Sequence, residues 1–279
     1  MNYKHVVIIG VDGAGAFFRN ANTPNIDAIF ENGAITYDCL AADPTISAEC
    51  WGSLLHGVEP SAHGITNSIA RKEPYPKDSK YPSFFRVIRE NDKNAILAAF
   101  SHWNPINTGI IENDIDVHKV GGLPSDSDLT TEIVEYLREN IPTALYVQFD
   151  DADRMGHSCG YGTAEQLSKI SELDGYIGRI YEVYEKMGAL CETLFIVTAD
   201  HGGSGKTHGG LTDEEKYVMF AATGKTVQSG KIGDMEIRDI AAIVLHALGY
   251  EKPTTWTARV PSGLFRGVVA GERPVYIDK

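Results

Sequence analysis

Three short apolar segments punctuate the chain, and each stops at a cluster of polar residues. They cover residues 5–11, 144–149 and 194–198. Uninterrupted apolar runs of this length are typical of strands that are buried on both faces of a sheet. We therefore predict three buried strands whose carboxyl-terminal ends present the functional side chains.

Segments with the apolar period of a helix separate these strands. The clearest ones run over residues 129–140, 164–187 and 237–248, and the last stops at Gly249. Strands that alternate with helices predict an α/β fold, with a mostly parallel central sheet sandwiched between helices. Ligands of such sheets bind beyond the carboxyl ends of the strands.

Turn and cap residues divide the chain further. Thr23 and Pro24 match a helix N-cap followed by the first helical residue, and Gly33 is a stop signal for that helix. Residues 67–82 are polar and contain prolines, which predicts a small surface insertion. No internal repeat or low-complexity tract interrupts residues 1–279, so we predict a single catalytic domain.

Composition narrows the classes of partner. The 279 residues, 43% of them apolar, can fill a substantial core. A net charge of −13 disfavours nucleic acid and membrane surfaces as partners, because an acidic protein is not attracted to either. The first residues lack the features of a secretory leader, and the four cysteines form no CxxC pair. We expect a cytoplasmic protein with a small substrate that a local site attracts.

Each predicted strand end carries residues of the types that bind metal ions. They are Asp12 after the first strand, Asp153 and His157 after the second, and Asp200, His201 and His208 after the third. Each piece alone has an ordinary alternative, since Asp12 followed by Gly13 is also a turn signal. Three such strand ends together indicate a cation site, and their carboxylate and imidazole groups suit zinc or manganese.

A hydroxyl nucleophile is available in residues 43–57. Pro44 disfavours a helix before it, so a helix can begin at Ser47 and end near Gly57. At the N-terminus of that helix, free N–H groups and the helix dipole favour both an alkoxide and an incoming phosphate. A simple helix N-cap is the alternative explanation of Ser47, while Cys50 would lie one turn inside the helix.

Other conspicuous side chains have simpler explanations. His56, His102 and His118 have no partner in the pattern, and lone histidines of this kind are usually satisfied or exposed. Trp103, Tyr161 and Trp256 are candidates for a pocket lining, but packing in the core is the commoner role of such residues.

Taken together, these motifs resemble the alkaline phosphatase superfamily, and most of all its type I phosphodiesterase/nucleotide pyrophosphatase branch. The resemblance covers most of the chain, through VVIIGVDG, TPNIDAIFENGA, PTISAECWGSLLHGVEPSAHGITN, FDDADRMGHSCG, TADHGG and THGG. The family nucleophile lies ten residues before the glycine that corresponds to Gly57, which is the position of Ser47 and not of Thr45. Asn67 lies near the position of the family's phosphate-binding asparagine.

The resemblance also implies two divalent metal ions, with zinc expected and manganese as the alternative. The ligands divide into Asp153, His157 and His208 for one ion, and Asp12, Asp200, His201 and Ser47 for the other. Two ions about 4 Å apart can act on both the attacking and the leaving oxygen of an in-line displacement. The family reaction proceeds through a covalent phosphoserine, which would form on Ser47.

Departures from the family pattern bear on the substrate. Ala48 follows Ser47, whereas family diesterases usually carry there an aromatic residue that stacks on a nucleotide base. The CxPxR pattern of sulfatases is absent, and the chain is short for the extra domain of the related mutases. The sequence therefore predicts a metal-dependent phosphodiesterase or nucleotide pyrophosphatase. The alternatives are a phosphomonoesterase, a phosphotransferase or mutase of the same superfamily, and a metal-binding protein without catalysis.

Overall fold

The computed structural model describes residues 3–267, and a seven-stranded sheet lies at its centre. The strands are β1 (His5–Val11), β2 (Ala34–Leu40), β3 (Leu97–Ser101), β4 (His118–Gly121), β5 (Ala144–Phe149), β6 (Thr193–Thr198) and β7 (Tyr217–Thr223). Their order across the sheet is β2-β7-β6-β1-β5-β3-β4. Strands β6, β1, β5, β3 and β4 run parallel, while β7 is antiparallel to both of its neighbours. The predicted, mostly parallel sheet is confirmed.

Helices cover both faces of this sheet. They are α1 (Pro24–Phe30), α2 (Ser47–His56), α3 (Pro60–His63), α4 (Asn67–Ala70), α5 (Phe84–Asn91), α6 (Asp126–Glu139), α7 (Asp151–Cys159), α8 (Ala164–Lys186), α9 (Asp213–Lys216) and α10 (Asp239–Leu248). Helices α1, α6 and α7 pack with α8, and α2 and α5 pack with α10. The predicted α/β sandwich is confirmed, and none of the helices within residues 3–267 is long and apolar enough to span a bilayer.

The three predicted strands are the central ones. All residues of β5 and β6 are buried, and β1 is buried from its second residue onward. Two layers of helices exclude water from both faces of these strands, which is why their sequences do not alternate between apolar and polar residues. The carboxyl ends of the three strands consequently lie side by side in the interior of the molecule.

Predicted helix ends agree with the structure where a local signal sets them. Helix α2 begins at Ser47, and Gly57 follows it with φ 64°, a left-handed conformation that favours glycine. Gly249 ends α10 in the same way, with φ 82°. Helix α6 begins at Asp126, three residues before the apolar period does, because the Ser125 side chain caps a polar first turn.

The predicted surface insertion contains α4 and a mostly exposed segment after it. Within that segment, Tyr75 is buried and its ring lies 4.1 Å from the ring of His56, measured between centroids. This contact ties residues 67–82 to the body of the protein. The assignment of residues 1–279 to one domain with an insertion stays a prediction.

Candidate active site

The residues that follow β1, β5 and β6 meet at one edge of the sheet. Parallel pairing places Val11 opposite Phe149, so β1 and β5 end at the same level. Gly13 then turns with φ 67° directly against Asp153. A Cβ atom on Gly13 would lie 2.8 Å from the Asp153 Cα, a distance that real side chains do not tolerate. Glycine is therefore required for the close approach of these two strand ends.

The first group of candidate ligands, the inner cluster, consists of Asp12, Asp200 and His201, and all three side chains are buried. Asp12 Oδ2 accepts hydrogen bonds from Trp51 Nε1 and Gln148 Nε2, each 3.0 Å long. Its other oxygen, Oδ1, lies 3.5 Å from His201 Nε2. The fold thus holds one oxygen of Asp12 and directs the other toward the histidine.

Asp200 is held in the same manner. Its Oδ1 accepts the backbone N–H groups of Gly13 and His201, at 3.1 and 2.8 Å. Its Oδ2 is buried, lies 3.3 Å from His201 Nε2 and has no hydrogen-bond partner within residues 3–267. A buried carboxylate oxygen without a partner is costly, so this atom marks a position for a cation.

The second group, the outer cluster, consists of Asp153, His157 and His208. Helix α7 places Asp153 and His157 one turn apart, with 3.2 Å between Asp153 Oδ2 and His157 Nε2. His208 comes from the glycine-rich loop 202–210, and its Nε2 lies 3.9 Å from Asp153 Oδ1. The Tyr161 hydroxyl donates a 2.5 Å hydrogen bond to that same oxygen. All three candidate ligands therefore converge on one point.

The three imidazoles of the two clusters share one hydrogen-bonding pattern. In each ring Nδ1 lies within hydrogen-bond distance of a backbone carbonyl: 3.0 Å for His157 and Lys206, 2.8 Å for His201 and Gly202, and 2.8 Å for His208 and Thr45. A carbonyl oxygen only accepts, so Nδ1 carries the proton and Nε2 keeps its lone pair. Metal-binding histidines are typically held in this tautomer by such a bond.

The protein alone does not compensate the burial of the candidate ligands, and their pKa values shift as a result. Burial, with repulsion from Asp200 as the next cause, raises the pKa of Asp12 well above its ordinary value. Burial likewise raises the pKa of Asp200 to about 8. Burial lowers the pKa values of His201 and His208. Divalent cations would compensate the carboxylates and bind the neutral imidazoles, so these residues fit a two-metal centre.

Ser47 is the first residue of α2 and faces the inner cluster. Its Oγ lies 3.2 Å from His201 Nε2 and 3.4 Å from Asp12 Oδ1. Ile46, and not Ser47, occupies the N-cap position of α2. Ser47 therefore does not cap α2, and its hydroxyl contacts Asp12 and His201 instead.

The neighbouring candidates for a nucleophile point elsewhere. The Thr45 hydroxyl donates to the carbonyl oxygen of Gly210 at 2.7 Å. Cys50 is fully buried, and burial raises the pKa of its thiol well above the usual value, so a reactive thiolate is disfavoured. Among these side chains, only Ser47 lies against the candidate metal ligands.

Asn67 lies beside the start of α2. Its Oδ1 accepts the backbone N–H of Ala48 at 3.0 Å, which fixes the side chain next to Ser47. Its NH₂ group carries the donors that a phosphate oxygen would use. The structure therefore places Asn67 beside Ser47, and Ser47 contacts the inner cluster.

Several residues that hold the ligands escaped the sequence analysis. Trp51 lies in the fully buried helix α2, and Gln148 lies in the buried strand β5, where an amide among apolar residues was the available signal. Tyr161 binds Asp153, whereas the sequence favoured a packing role for it. His102 has a partner after all, because its Nδ1 lies 2.6 Å from Asp126 Oδ1.

Comparison with known sequences finds relatives whose names describe a phosphoglycerate mutase and an ethanolamine phosphate transferase. The chain is 34% identical over 142 residues to the 2,3-bisphosphoglycerate-independent phosphoglycerate mutase of Pseudomonas syringae pv. syringae, which covers 48% of this chain and 26% of the mutase. It is 20% identical over 227 residues to GPI ethanolamine phosphate transferase 2 of Aspergillus fumigatus, covering 76% of this chain and 29% of the transferase. The chain thus spans less than a third of either relative.

Solved structures share the fold. Murine ectonucleotide pyrophosphatase/phosphodiesterase 5 superposes with a TM-score of 0.73 at 14% identity, over 88% of this chain and 95% of that one. A 2-O GAG sulfatase superposes with a TM-score of 0.72 at 12% identity, over 92% and 73%. The family model described as type I phosphodiesterase/nucleotide pyrophosphatase matches residues 6–239, which is most of the chain. The protein therefore belongs to the type I phosphodiesterase/nucleotide pyrophosphatase family.

Proposed function

We propose that this protein hydrolyses phosphate esters, as a phosphodiesterase or nucleotide pyrophosphatase, with two divalent metal ions and with Ser47 as the nucleophile. One observation carries the proposal: three histidine Nε2 atoms converge on carboxylate oxygens, and one of these oxygens, on Asp200, is buried with no hydrogen-bond partner among the residues that the structure describes. A purely structural role would not need three imidazoles fixed in the same metal-binding tautomer.

The two clusters supply the metal ligands. Asp153, His157 and His208 would hold one ion, and Asp12, Asp200, His201 and Ser47 would hold the other. Bound metal ions supply Lewis acidity to the reacting oxygen atoms. We expect zinc, with manganese as the alternative, because all donors are nitrogen or oxygen and none is a thiolate.

Residues at the start of α2 would bind and attack the substrate. Free N–H groups in the first turn and the NH₂ group of Asn67 would bind the non-bridging phosphate oxygens. Ser47 Oγ loses its proton and bonds to phosphorus while the bond to the first alcohol breaks, and that alcohol leaves with a proton. Water then cleaves the phosphoserine ester, which restores the Ser47 hydroxyl and releases the phosphate product.

A phosphotransferase or mutase is the second candidate. The first step would be the same, but the phosphoryl group on Ser47 would pass to another hydroxyl instead of water. The likeness to GPI ethanolamine phosphate transferase 2 over 76% of this chain keeps this alternative open. Product analysis with an added acceptor alcohol separates the two, because only a transferase converts most of the substrate to the transferred product.

The direct test compares two chromogenic esters on protein of known metal content. Protein purified with added zinc should contain two ions per chain and cleave bis-p-nitrophenyl phosphate faster than p-nitrophenyl phosphate. Chelation should abolish the activity, and zinc or manganese should restore it. Less than one metal ion per chain, or no cleavage of either ester by the loaded protein, would contradict the proposal.

A further inference from the structure

Arg71 and Trp103 form a side-chain contact between the end of α4 and the segment that follows β3. The guanidinium carbon of Arg71 lies 5.2 Å from the centre of the Trp103 ring, within the range of a cation–π contact. Arg71 directly follows α4, and Trp103 lies two residues after β3. Two separate elements therefore bring this pair together.

Both members of the pair are anchored close to the site. Arg71 lies one helical turn after Asn67, whose side chain binds the first turn of α2. The backbone N–H of Trp103 donates to Gln148 Oε1 at 2.9 Å, and Gln148 Nε2 in turn donates to Asp12. One hydrogen-bonded residue thus separates Trp103 from a candidate metal ligand.

The positive charge of Arg71 is not neutralised by the protein. Arg86, Arg154 and Arg238 each pair with a carboxylate, but the Arg71 guanidinium has no such partner in the part of the chain that the structure describes. An aromatic ring positions a guanidinium and leaves its charge and its N–H donors available to a ligand.

We propose that Arg71, positioned by Trp103, binds a second phosphate group of the substrate, separate from the phosphate that is cleaved. A second phosphate would be attracted to an unpaired cation, and Arg71 is an exposed cation. The guanidinium offers two parallel N–H donors that match phosphate oxygens. The substrate class is then a phosphate ester whose retained alcohol part carries a further phosphate. This inference rests on the proposed function.

A matched pair of esters tests Arg71. Thymidine 5′-(p-nitrophenyl phosphate) and its 3′-phosphorylated form have the same leaving group and differ by one phosphate. The wild-type enzyme should favour the 3′-phosphorylated ester by about tenfold in kcat/KM, as expected for charge-assisted hydrogen bonds at a partly exposed site. Arg71→Ala should bring this ratio close to one, and Arg71→Lys should give an intermediate ratio because lysine cannot bind in a bidentate way.

Arg19 provides the control. It is also exposed and its guanidinium carbon lies 4.7 Å from the centre of an aromatic ring, that of Tyr37 on β2. Arg19→Ala should leave the substrate ratio as it is in the wild type. Equal melting temperatures and metal contents would show that all variants are folded and loaded. A wild-type ratio near one, or an unchanged preference in Arg71→Ala, would overturn the inference.

A binding measurement separates this inference from the proposed function. If no form of the protein cleaves either ester, the proposed function fails, while calorimetry on metal-loaded protein still tests Arg71. The wild type should then bind thymidine 3′,5′-bisphosphate about tenfold more tightly than thymidine 5′-monophosphate. Arg71→Ala should bind the two nucleotides with equal affinity. Equal affinity of the wild type for both nucleotides would refute the role of Arg71.

Discussion

The inner and outer clusters offer the same donor types on differently built supports. The inner cluster comes from the ends of two neighbouring central strands, and its three side chains are buried. The outer cluster comes from α7 and from the glycine-rich loop 202–210, and the side chain of His157 is 47% exposed. Strand ends in a packed core move little, whereas an exposed helix end and a loop open more easily.

This difference predicts unequal metal sites. Buried donors fix the inner carboxylates before any ion binds, so the inner site should bind tightly and exchange slowly. The outer site should lose its ion first when a chelator is added. The inner site would be rigid and lies beside the nucleophile, whereas the outer site would be more accessible to the leaving group. This arrangement would suit an enzyme that must release its product.

The largest effect is expected from Ser47, which contacts the inner cluster. Ser47→Ala removes the attacking oxygen and should lower turnover by about a thousandfold or more. Three protein ligands remain at each cluster, so both metal ions should stay bound. Kinetics, metal content and melting temperature are measured with zinc at saturation.

Thr45→Ala is the matched control for this variant. Thr45 is the nearest other hydroxyl, but it is bound to the carbonyl of Gly210. Its loss should cost about 1 kcal/mol of stability and change turnover only a few-fold. Near-normal activity of Ser47→Ala, or a collapse of activity in Thr45→Ala, would show that the nucleophile is wrongly assigned.

Asp200→Asn should have opposite effects on the melting temperature without and with bound metal. Without metal and above pH 8, where the Asp200 carboxyl is ionised because its pKa is raised to about 8, the amide removes a buried charge and can donate a hydrogen bond to His201 Nε2, so the melting temperature should rise. With zinc, the variant should lose the inner ion, melt below the wild type and turn over at least about a hundredfold more slowly. A lower melting temperature of the variant in the metal-free state would contradict this account of the inner cluster.

His208→Ala should act on the outer cluster alone. The variant should retain about one ion per chain and lose about a hundredfold in turnover, because only the ion beside Asp153 and His157 is released. Metal analysis after gel filtration measures the remaining content. Loss of both ions would mean that the two clusters do not bind independently.

Smaller effects are expected from the side chains that orient the ligands. Gln148→Leu should weaken the inner site, and Tyr161→Phe should weaken the outer site, each by about 10- to 100-fold in affinity. Competition with a chelating dye resolves the two binding steps. If both variants weaken the same step, the assignment of these partners to separate clusters fails.

The sequence was informative where local patterns determine structure. Long apolar runs mark β1, β5 and β6, and polar residues at their ends lie together because parallel strands end at one edge. Strands β2, β3, β4 and β7 were not predicted; β2 and β4 are edge strands and only partly buried, whereas β3 and β7 are mostly buried. Their pairing depends on neighbours that are distant in the chain.

The side chains that hydrogen-bond to the candidate ligands could not be predicted from the sequence for the same reason. Asp12 meets Trp51 and Gln148 across separations of 39 and 136 residues, and no local pattern encodes those contacts. Tyr161 is close to Asp153 in sequence, but its hydroxyl reaches the carboxylate only because a turn separates α7 from α8. Residue types predicted the candidate ligands, whereas packing decides how they are held.

The most direct test of the central claim is to trap the covalent intermediate. Metal-loaded protein is mixed with bis-p-nitrophenyl phosphate, quenched in acid within the first turnover, digested and mapped by mass spectrometry. The account predicts a p-nitrophenyl phosphoryl group on Ser47, formed together with a burst of p-nitrophenolate and absent from Ser47→Ala. A burst with the adduct on another residue, or with Ser47 unmodified, would contradict it.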